Sequence, residues 1–170
     1  SQIQVKSEIG MSFAHVLRSA LRHDPDVILV GEIRDQETAE IAVQASLTGH
    51  LVLSTIHTNS AVGAITRLLN MGVPDYLLVN SLVAVSAQRL VRRLCEACKI
   101  QTTMDASLAR KMKFPKTTSI FEPCGCKACS KTGYAGRLPI AEFITLDHRM
   151  RQVVLNNSSE EALLEAAEAS

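Results

Sequence analysis

The chain has 170 residues, of which 46% are hydrophobic and 4% aromatic, and its formal net charge is +1. This length and apolar content suffice for one moderate core, whereas the near-neutral charge and the lack of Trp argue against a protein that captures nucleic acid or an anionic membrane. No apolar run approaches the roughly 20 residues that span a bilayer, and the amino terminus is unlike a signal peptide, so we expect a cytoplasmic protein.

Two predicted strands joined by a helix make a βαβ unit in the first third of the chain. The apolar run 27–30 ends just before Glu32, an amphipathic stretch covers 37–48, and a second β-rich run leads into the polar group 54–59. Such strands should be parallel, with a right-handed crossover. Because ligands bind beyond the carboxyl ends of parallel strands, Glu32 and the polar group should converge on one rim of the sheet.

Glu32 is the first candidate catalytic residue. In a nucleotide-hydrolysing fold, a carboxylate at the end of a core strand holds Mg²⁺ or polarises water beside the γ-phosphate. The same pattern also occurs wherever a core strand meets solvent. His57 ends the second strand and is open to two interpretations, a γ-phosphate sensor or a structural hydrogen bond. His50 is interpreted as a helix-end or packing histidine.

Residues with cap chemistry mark the predicted helix starts, and they are Ser12, Asp35, Asn59 or Ser60, Pro74 and Ser158. The predicted ends of the first three helices are His23, Gly49 and Gly72. The helix that Pro74 opens is expected to continue through a largely apolar run to Leu90. Ser158 and Glu161 form a capping box for a terminal Ala/Leu-rich helix.

The spacing of the five cysteines indicates a metal site. Cys95 and Cys98 form one Cys-x-x-Cys pair, and Cys126 and Cys129 form another. Two such pairs converge four thiolates on a tetrahedral metal ion, for which zinc is the expected choice. A closed four-thiolate site has no open position for water, so we expect a structural role. Disulfides are disfavoured in the cytoplasm, and on spacing alone Cys124 is an alternative to Cys126.

The segment 100–123 lies between the cysteine pairs and is expected to be a surface loop or a short helix. Its prolines are Pro115 and Pro123, and its cluster of positive charge consists of Arg110, Lys111, Lys113 and Lys116. We interpret that cluster as solvated surface in preference to a phosphate- or lipid-binding patch. Residues 138–146 predict a strand that returns from the cysteine region.

Two blocks of the sequence are highly specific for one protein family, and they are Val30-Gly31-Glu32-Ile33-Arg34-Asp35 and Ser54-Thr55-Ile56-His57-Thr58-Asn59. With the further blocks 17–26, 37–42, 44–50 and 67–72, they resemble the hexameric ATPases of bacterial type II secretion and type IV pilus assembly. The resemblance is nearly continuous from residue 2 to about 94 and resumes from 125 to about 146. It implies that the first block is an atypical Walker B motif carrying the catalytic glutamate, Glu32, and that the second is the His box with His57.

The resemblance implies a mixed α/β fold with part of a RecA-like P-loop ATPase core in residues 1–94, a tetracysteine zinc module in 95–137, and a returning strand with carboxyl-terminal helices in 138–170. It also implies ATP, Mg²⁺ and Zn²⁺ as cofactors, a hexamer, and inner-membrane platform proteins as partners. Four arginines fall in matching blocks and are candidates for phosphate or inter-subunit contacts, namely Arg18, Arg22, Arg34 and Arg67. The family's Gly-Cys-x-x-Cys pattern selects Cys126 as the ligand and makes Cys124 a spare thiol.

The phosphate loop G-x-x-x-x-G-K-[ST] does not occur in this sequence, although it supplies the backbone N–H groups and the lysine that cradle phosphates. We therefore expect a carboxyl-terminal part of a longer ATPase, inactive by itself and peripheral to the inner membrane through its partners. The zinc module favours a secretion or assembly ATPase over a retraction motor. Two alternatives remain: a non-catalytic zinc-bearing docking module, and a RecA-like nucleic-acid motor, which would need a basic DNA-facing loop.

Overall fold

The computed structural model describes residues 2–6, 8, 10–115 and 118–168. Lys116, which belongs to the predicted cluster of positive charge, lies outside them. The chain divides into two compact units, of which the first comprises Ser1–Ala87 with Glu142–Ser170 and the second comprises Gln88–Ala141. All four predicted metal-ligating cysteines fall in the second unit, and both candidate catalytic residues fall in the first.

The helices are α1 (Phe13–Ala20), α2 (Gln36–Leu47), α3 (Ala61–Asn70), α4 (Asp75–Ser81), α5 (Ala106–Lys111), α6 (His148–Asn156) and α7 (Glu160–Glu168). The strands are β1 (Val27–Val30), β2 (Leu51–Ser54), β3 (Ala84–Leu94), β4 (Ile100–Thr103), β5 (Ser119–Glu122) and β6 (Tyr134–Thr145). Short 3₁₀ turns cover Leu21–His23 and Lys127–Cys129. No described helix has both the length and the apolar character needed to cross a membrane.

The predicted βαβ unit is present. Strands β1 and β2 are parallel, with Val27 opposite Leu51 and Val30 opposite Ser54, and α2 connects them. Strand β1 alternates between exposed and buried positions, so one of its faces contributes to the core. The short strands β4 and β5 form a separate antiparallel pair, and β3 pairs with β6.

Side-chain caps begin the helices largely where the sequence predicts them. Ser12, Asp35 and Ser60 each accept a hydrogen bond from the backbone N–H three residues later, at 3.2, 2.8 and 3.0 Å. Each cap satisfies one of the N–H groups that a helix start leaves without a partner. At α7 the prediction is wrong by one residue, because the cap is Ser159 rather than Ser158, accepting at 3.3 Å.

The apolar helix predicted from Pro74 to Leu90 is wrong beyond Ser81. Helix α4 ends there, Leu82 has an extended backbone, and β3 follows. The β-branched side chains of this run favour extended backbone, and the apolar spacing fits either structure. The deciding interaction is the pairing with β6, a strand that follows only after the cysteine region and that a local pattern cannot reveal.

The segment between the cysteine pairs has more regular structure than the predicted loop. Strands β4 and β5 pair with Ile100 opposite Glu122, and α5 lies between them in the chain. The expected short helix is therefore present, flanked by two strands. The returning strand is also present, and β6 begins four residues before the predicted start at Leu138.

Among the described residues, two clusters of buried hydrophobic side chains form the core, and both lie in the first unit. The larger cluster joins α2, α3, α4, α6 and α7, and includes the fully buried residues Ile65, Leu78, Met150 and Leu163. The smaller cluster joins α1, α2 and β1. Ile33, the residue after Glu32, packs against both clusters. The backbone next to the candidate acid is thereby anchored to the core.

Candidate catalytic rim and candidate metal centre

Glu32 lies just beyond the carboxyl end of β1, with 18% of its side chain exposed. Its Oε2 is 3.0 Å from Nε2 of His57, which follows β2 and whose side chain is 85% exposed. Its Oε1 forms an ion pair with the guanidinium of Arg34. The structure thus brings Glu32 and His57 together at the rim where parallel strands end, the geometry expected from their places in the sequence.

The electrostatics of this rim favour an ionised carboxylate. The hydrogen bond from Arg34 lowers the pKa of Glu32 below its ordinary value, against an opposing effect of partial burial, and the charge of Arg34 and the contact with His57 lower that pKa further. The same ion pair raises the pKa of Arg34. A carboxylate of lowered pKa is suited to holding a cation or orienting water, and less to accepting a proton.

The backbone on either side of Glu32 is tied to Thr55, the residue that follows β2. The Thr55 hydroxyl donates to the carbonyl oxygen of Gly31 at 2.6 Å, and the N–H of Ile33 donates to the carbonyl oxygen of Thr55 at 2.9 Å. Sequence reasoning missed this role. The available signal was the register, since in a parallel pair the residue after the end of β2 falls beside the residue after the end of β1.

The four candidate arginines are not gathered at one place. Arg34 alone contacts Glu32, whereas Arg18 pairs with Glu37 at 2.8 Å on an exposed helix surface. Arg67 lines a shallow groove with residues of the His box and of α3. Within the described ranges, Arg22 and Arg67 form no ion pair.

His50 lies at the end of α2. Its Nδ1 is 3.0 Å from the carbonyl oxygen of Ala45 and 3.2 Å from the hydroxyl of Thr48. These contacts serve the carbonyl groups that a helix end leaves without intrahelical partners. They agree with the interpretation of His50 as a helix-end histidine.

The cysteine cluster has the geometry of a four-coordinate metal site. The sulfurs of Cys95, Cys98, Cys126 and Cys129 lie within 4.8 Å of one another, and three pairs are separated by 4.0, 3.8 and 3.8 Å. A tetrahedral ion with metal–sulfur bonds of about 2.3 Å needs sulfurs about 3.8 Å apart. The donor set therefore fits zinc. Cys124 is exposed and outside this group, and none of the five cysteines is in a disulfide.

Backbone N–H groups point at the cysteine sulfurs. Those of Cys126 and Gly133 donate to Sγ of Cys129, each at 3.2 Å, and that of Gly125 donates to Sγ of Cys98 at 3.3 Å. The bond from Cys126 is the main cause that lowers the pKa of Cys129 to about 6, whereas burial raises the pKa of Cys98 to about 12. Four adjacent thiolates repel one another, so a cation is the group that would let them all ionise.

Gly125 lies just before the second Cys-x-x-Cys pair and allows the chain to turn there. Its φ is +104°, and a Cβ there would lie 2.6 Å from the carbonyl oxygen of Lys131. Both the left-handed backbone and the close approach require a residue without a side chain. The glycine therefore places its own N–H within reach of Cys98.

A sequence model of the family described as "Type II/IV secretion system protein" matches residues 1–170. The chain belongs to this family. The resemblance to the ATPases of type II secretion and type IV pilus assembly, inferred from the matching sequence blocks, is thus confirmed.

Curated relatives in this family carry matching names. Type II secretion system protein E of Klebsiella pneumoniae is 54% identical over 164 residues, which cover 96% of this chain and 33% of the relative. The type II secretion system protein HxcR of Pseudomonas aeruginosa is 51% identical over 169 residues, covering 99% and 33%. The chain therefore spans about a third of the length of the curated relatives it matches.

Solved structures confirm the mixed α/β fold of a secretion ATPase. The pilus retraction motor PilT, solved with bound ADP, is 30% identical with a TM-score of 0.60, and the match covers 91% of this chain and 35% of PilT. The ATPase DotB of Legionella pneumophila is 22% identical with a TM-score of 0.59, and the match covers 93% of this chain and 34% of DotB. At this identity it supports the fold alone.

Proposed function

We propose that this chain is the part of a secretion ATPase that carries its Walker B acid and its His box. The full-length protein would hydrolyse ATP to power protein secretion through a type II system or pilus assembly. It would act as a cytoplasmic hexamer on inner-membrane platform proteins. The observation that carries the proposal is the contact between Glu32 and His57 at the carboxyl ends of two parallel strands, in a chain that matches its family throughout.

In this proposal the ionised carboxylate of Glu32 holds Mg²⁺ or orients the attacking water, because oxygen ligands suit this ion and charge stabilisation supplies most of the catalysis. His57 holds the second carboxylate oxygen and faces solvent, where a phosphate can approach. The ion itself would neutralise charge on the phosphates of bound ATP. Arg34 is the first candidate among the arginines for a phosphate contact, since it already lies at Glu32, with Arg18, Arg22 and Arg67 as further candidates.

We also propose that Cys95, Cys98, Cys126 and Cys129 hold one structural Zn²⁺. Four sulfur ligands close the coordination shell, so the ion would contribute folding free energy and leave the chemistry to the rim. The sulfur separations and the N–H donors around them support this assignment.

The test of the catalytic proposal is Glu32→Gln in the full-length protein. Glutamine keeps the shape of the side chain but loses the charge, so ATP turnover should fall by about 10²-fold or more while nucleotide affinity stays within a few-fold. Steady-state turnover and nucleotide binding are the two measurements. Glu40→Gln is the matched control, because the Glu40 carboxylate bonds to Gln36 of its own helix. Equal turnover in wild type and Glu32→Gln would remove Glu32 from the mechanism.

A further inference from the structure

The bonding between β1 and β2 continues past their last paired residues through one residue, Thr55. The paired residues end at Val30 and Ser54, and beyond them Thr55 makes two bonds to the β1 side. Its hydroxyl donates to Gly31 at 2.6 Å, and its carbonyl oxygen accepts from Ile33 at 2.9 Å. Both backbone neighbours of Glu32 are thereby tied to one residue.

The same residue belongs to the segment that carries His57. Thr55 precedes His57 by two positions, so the backbone that holds the loop of Glu32 also leads to the histidine that contacts its carboxylate at 3.0 Å. On the other side, Ile33 packs against both hydrophobic clusters. The N–H bond from Ile33 to Thr55 therefore ties the His-box segment to the core, and the hydroxyl bond to Gly31 ties it to the strand end.

We propose that Thr55 is a positioning residue whose hydroxyl fixes the loop of Glu32 against the segment of His57. The proposal rests on the proposed function, since it concerns the placement of the same carboxylate. Thr55 needs no contact with ATP in this role. The hydroxyl supplies the bond to the carbonyl oxygen of Gly31 beyond the last paired residues, and Thr is suited because its branched side chain restricts χ1.

The test replaces the hydroxyl in the full-length protein without changing the size of the side chain. Thr55→Val removes the donor to Gly31 and keeps the branched shape. Because a misplacement of about 1 Å can cost about 10²-fold in rate, we expect ATP turnover to fall between about 10-fold and 10²-fold, with nucleotide affinity and melting temperature close to wild type. Thr55→Ser keeps the donor and should retain most of the turnover.

Thr48→Val is the matched control for the chemical change. The Thr48 hydroxyl donates to two carbonyl groups at the end of α2, at 2.9 and 3.1 Å, away from the strand ends. The Thr48→Val variant should therefore leave turnover unchanged. Thr55→Ala removes the same hydroxyl with a smaller side chain, and it takes the place of Thr55→Val if the valine variant does not fold.

A double variant separates positioning from a general loss of structure. If Thr55 acts by placing Glu32, then Thr55→Val should cost far less turnover in the Glu32→Gln background than in the wild type, because the two changes affect one unit. Fully multiplicative losses, or a loss that tracks a lower melting temperature, would overturn the positioning role. So would normal turnover in Thr55→Val beside impaired turnover in Glu32→Gln. Normal turnover in Glu32→Gln would instead overturn the proposed function itself.

Discussion

Different interactions stabilise the two units. The first contains both clusters of buried hydrophobic side chains, whereas the buried hydrophobic residues among the described part of the second are Cys95, Ala109 and Cys129. Two of these three are cysteines of the predicted metal site. A unit this small with almost no apolar core needs another source of stability, and a metal ion is one of the few available. The candidate catalytic rim thus lies in the unit that apolar burial stabilises.

The units also differ in charge. The second unit contains eleven Lys and Arg residues against three Asp and Glu, whereas the rest of the chain contains seven against fourteen. The formal net charge of +1 is therefore the sum of a basic unit and an acidic remainder. The net charge of the chain describes neither of them, because electrostatic attraction depends on how charge is distributed over a surface.

Removal of one metal ligand should have the largest effect and should separate the two units. Cys98→Ser in the full-length protein takes away a thiolate of the proposed closed site, so we expect loss of zinc and unfolding of much of the second unit. The first unit should keep its structure, since its core contains no metal ligand. Elemental analysis and hydrogen exchange of the two units are the measurements.

The control for this change is Cys124→Ser. Cys124 is exposed and lies outside the sulfur cluster, so zinc content and hydrogen exchange should match the wild type. The metal assignment fails if the wild type contains no zinc or if both serine variants lose it equally. Loss of protection throughout the first unit in Cys98→Ser would contradict the separate sources of stability.

Much of the first unit could be predicted because its signals are local. Asp35 and Ser60 are caps that act within three residues, and the parallel pairing of β1 and β2 follows from one short crossover. Strand β3 could not be predicted, because its apolar spacing also fits a helix and its partner β6 comes after the whole cysteine region. Local pattern gives way to tertiary pairing at such a position.

The candidate sites divide in the same way. Cys-x-x-Cys spacing left Cys124 as an alternative to Cys126, and the Gly-Cys-x-x-Cys pattern of the family selected the four sulfurs that the structure brings together. The approach of Glu32 to His57 follows from strand topology. The role of Thr55 needed the register of two strands, and the place of Arg34 depended on its rotamer. A contact that depends on a side-chain rotamer, as that of Arg34 does, has no signature in a single sequence.

A smaller effect is expected from backbone strain in the cysteine loop. Gly125→Ala places a Cβ 2.6 Å from the carbonyl oxygen of Lys131, and it forces a residue with a side chain to adopt φ +104°. Gly136→Ala meets the strain alone, because φ is +80° and no atom lies within 4 Å of the added Cβ. Such strain costs of the order of 1–3 kcal/mol, so Gly125→Ala should lose zinc to a competing chelator earlier than Gly136→Ala. Equal chelator midpoints would show that the contact with Lys131 is relieved at no cost.

The smallest effect should be a shift in pH dependence at the rim. The hydrogen bond and charge of Arg34 lower the pKa of Glu32, so Arg34→Gln should raise that pKa toward its ordinary value. If turnover requires the ionised carboxylate, the acidic limb of the profile of kcat/KM against pH must then move to higher pH. Glu37→Gln breaks the separate ion pair with Arg18 and should leave the limb in place.

If the acidic limb stays fixed in Arg34→Gln while turnover is still sensitive to Glu32→Gln, then Arg34 does not set the charge state of Glu32. A lower maximum with an unshifted limb would instead place Arg34 on the phosphates, because loss of a cation there weakens charge stabilisation without changing the titration of Glu32.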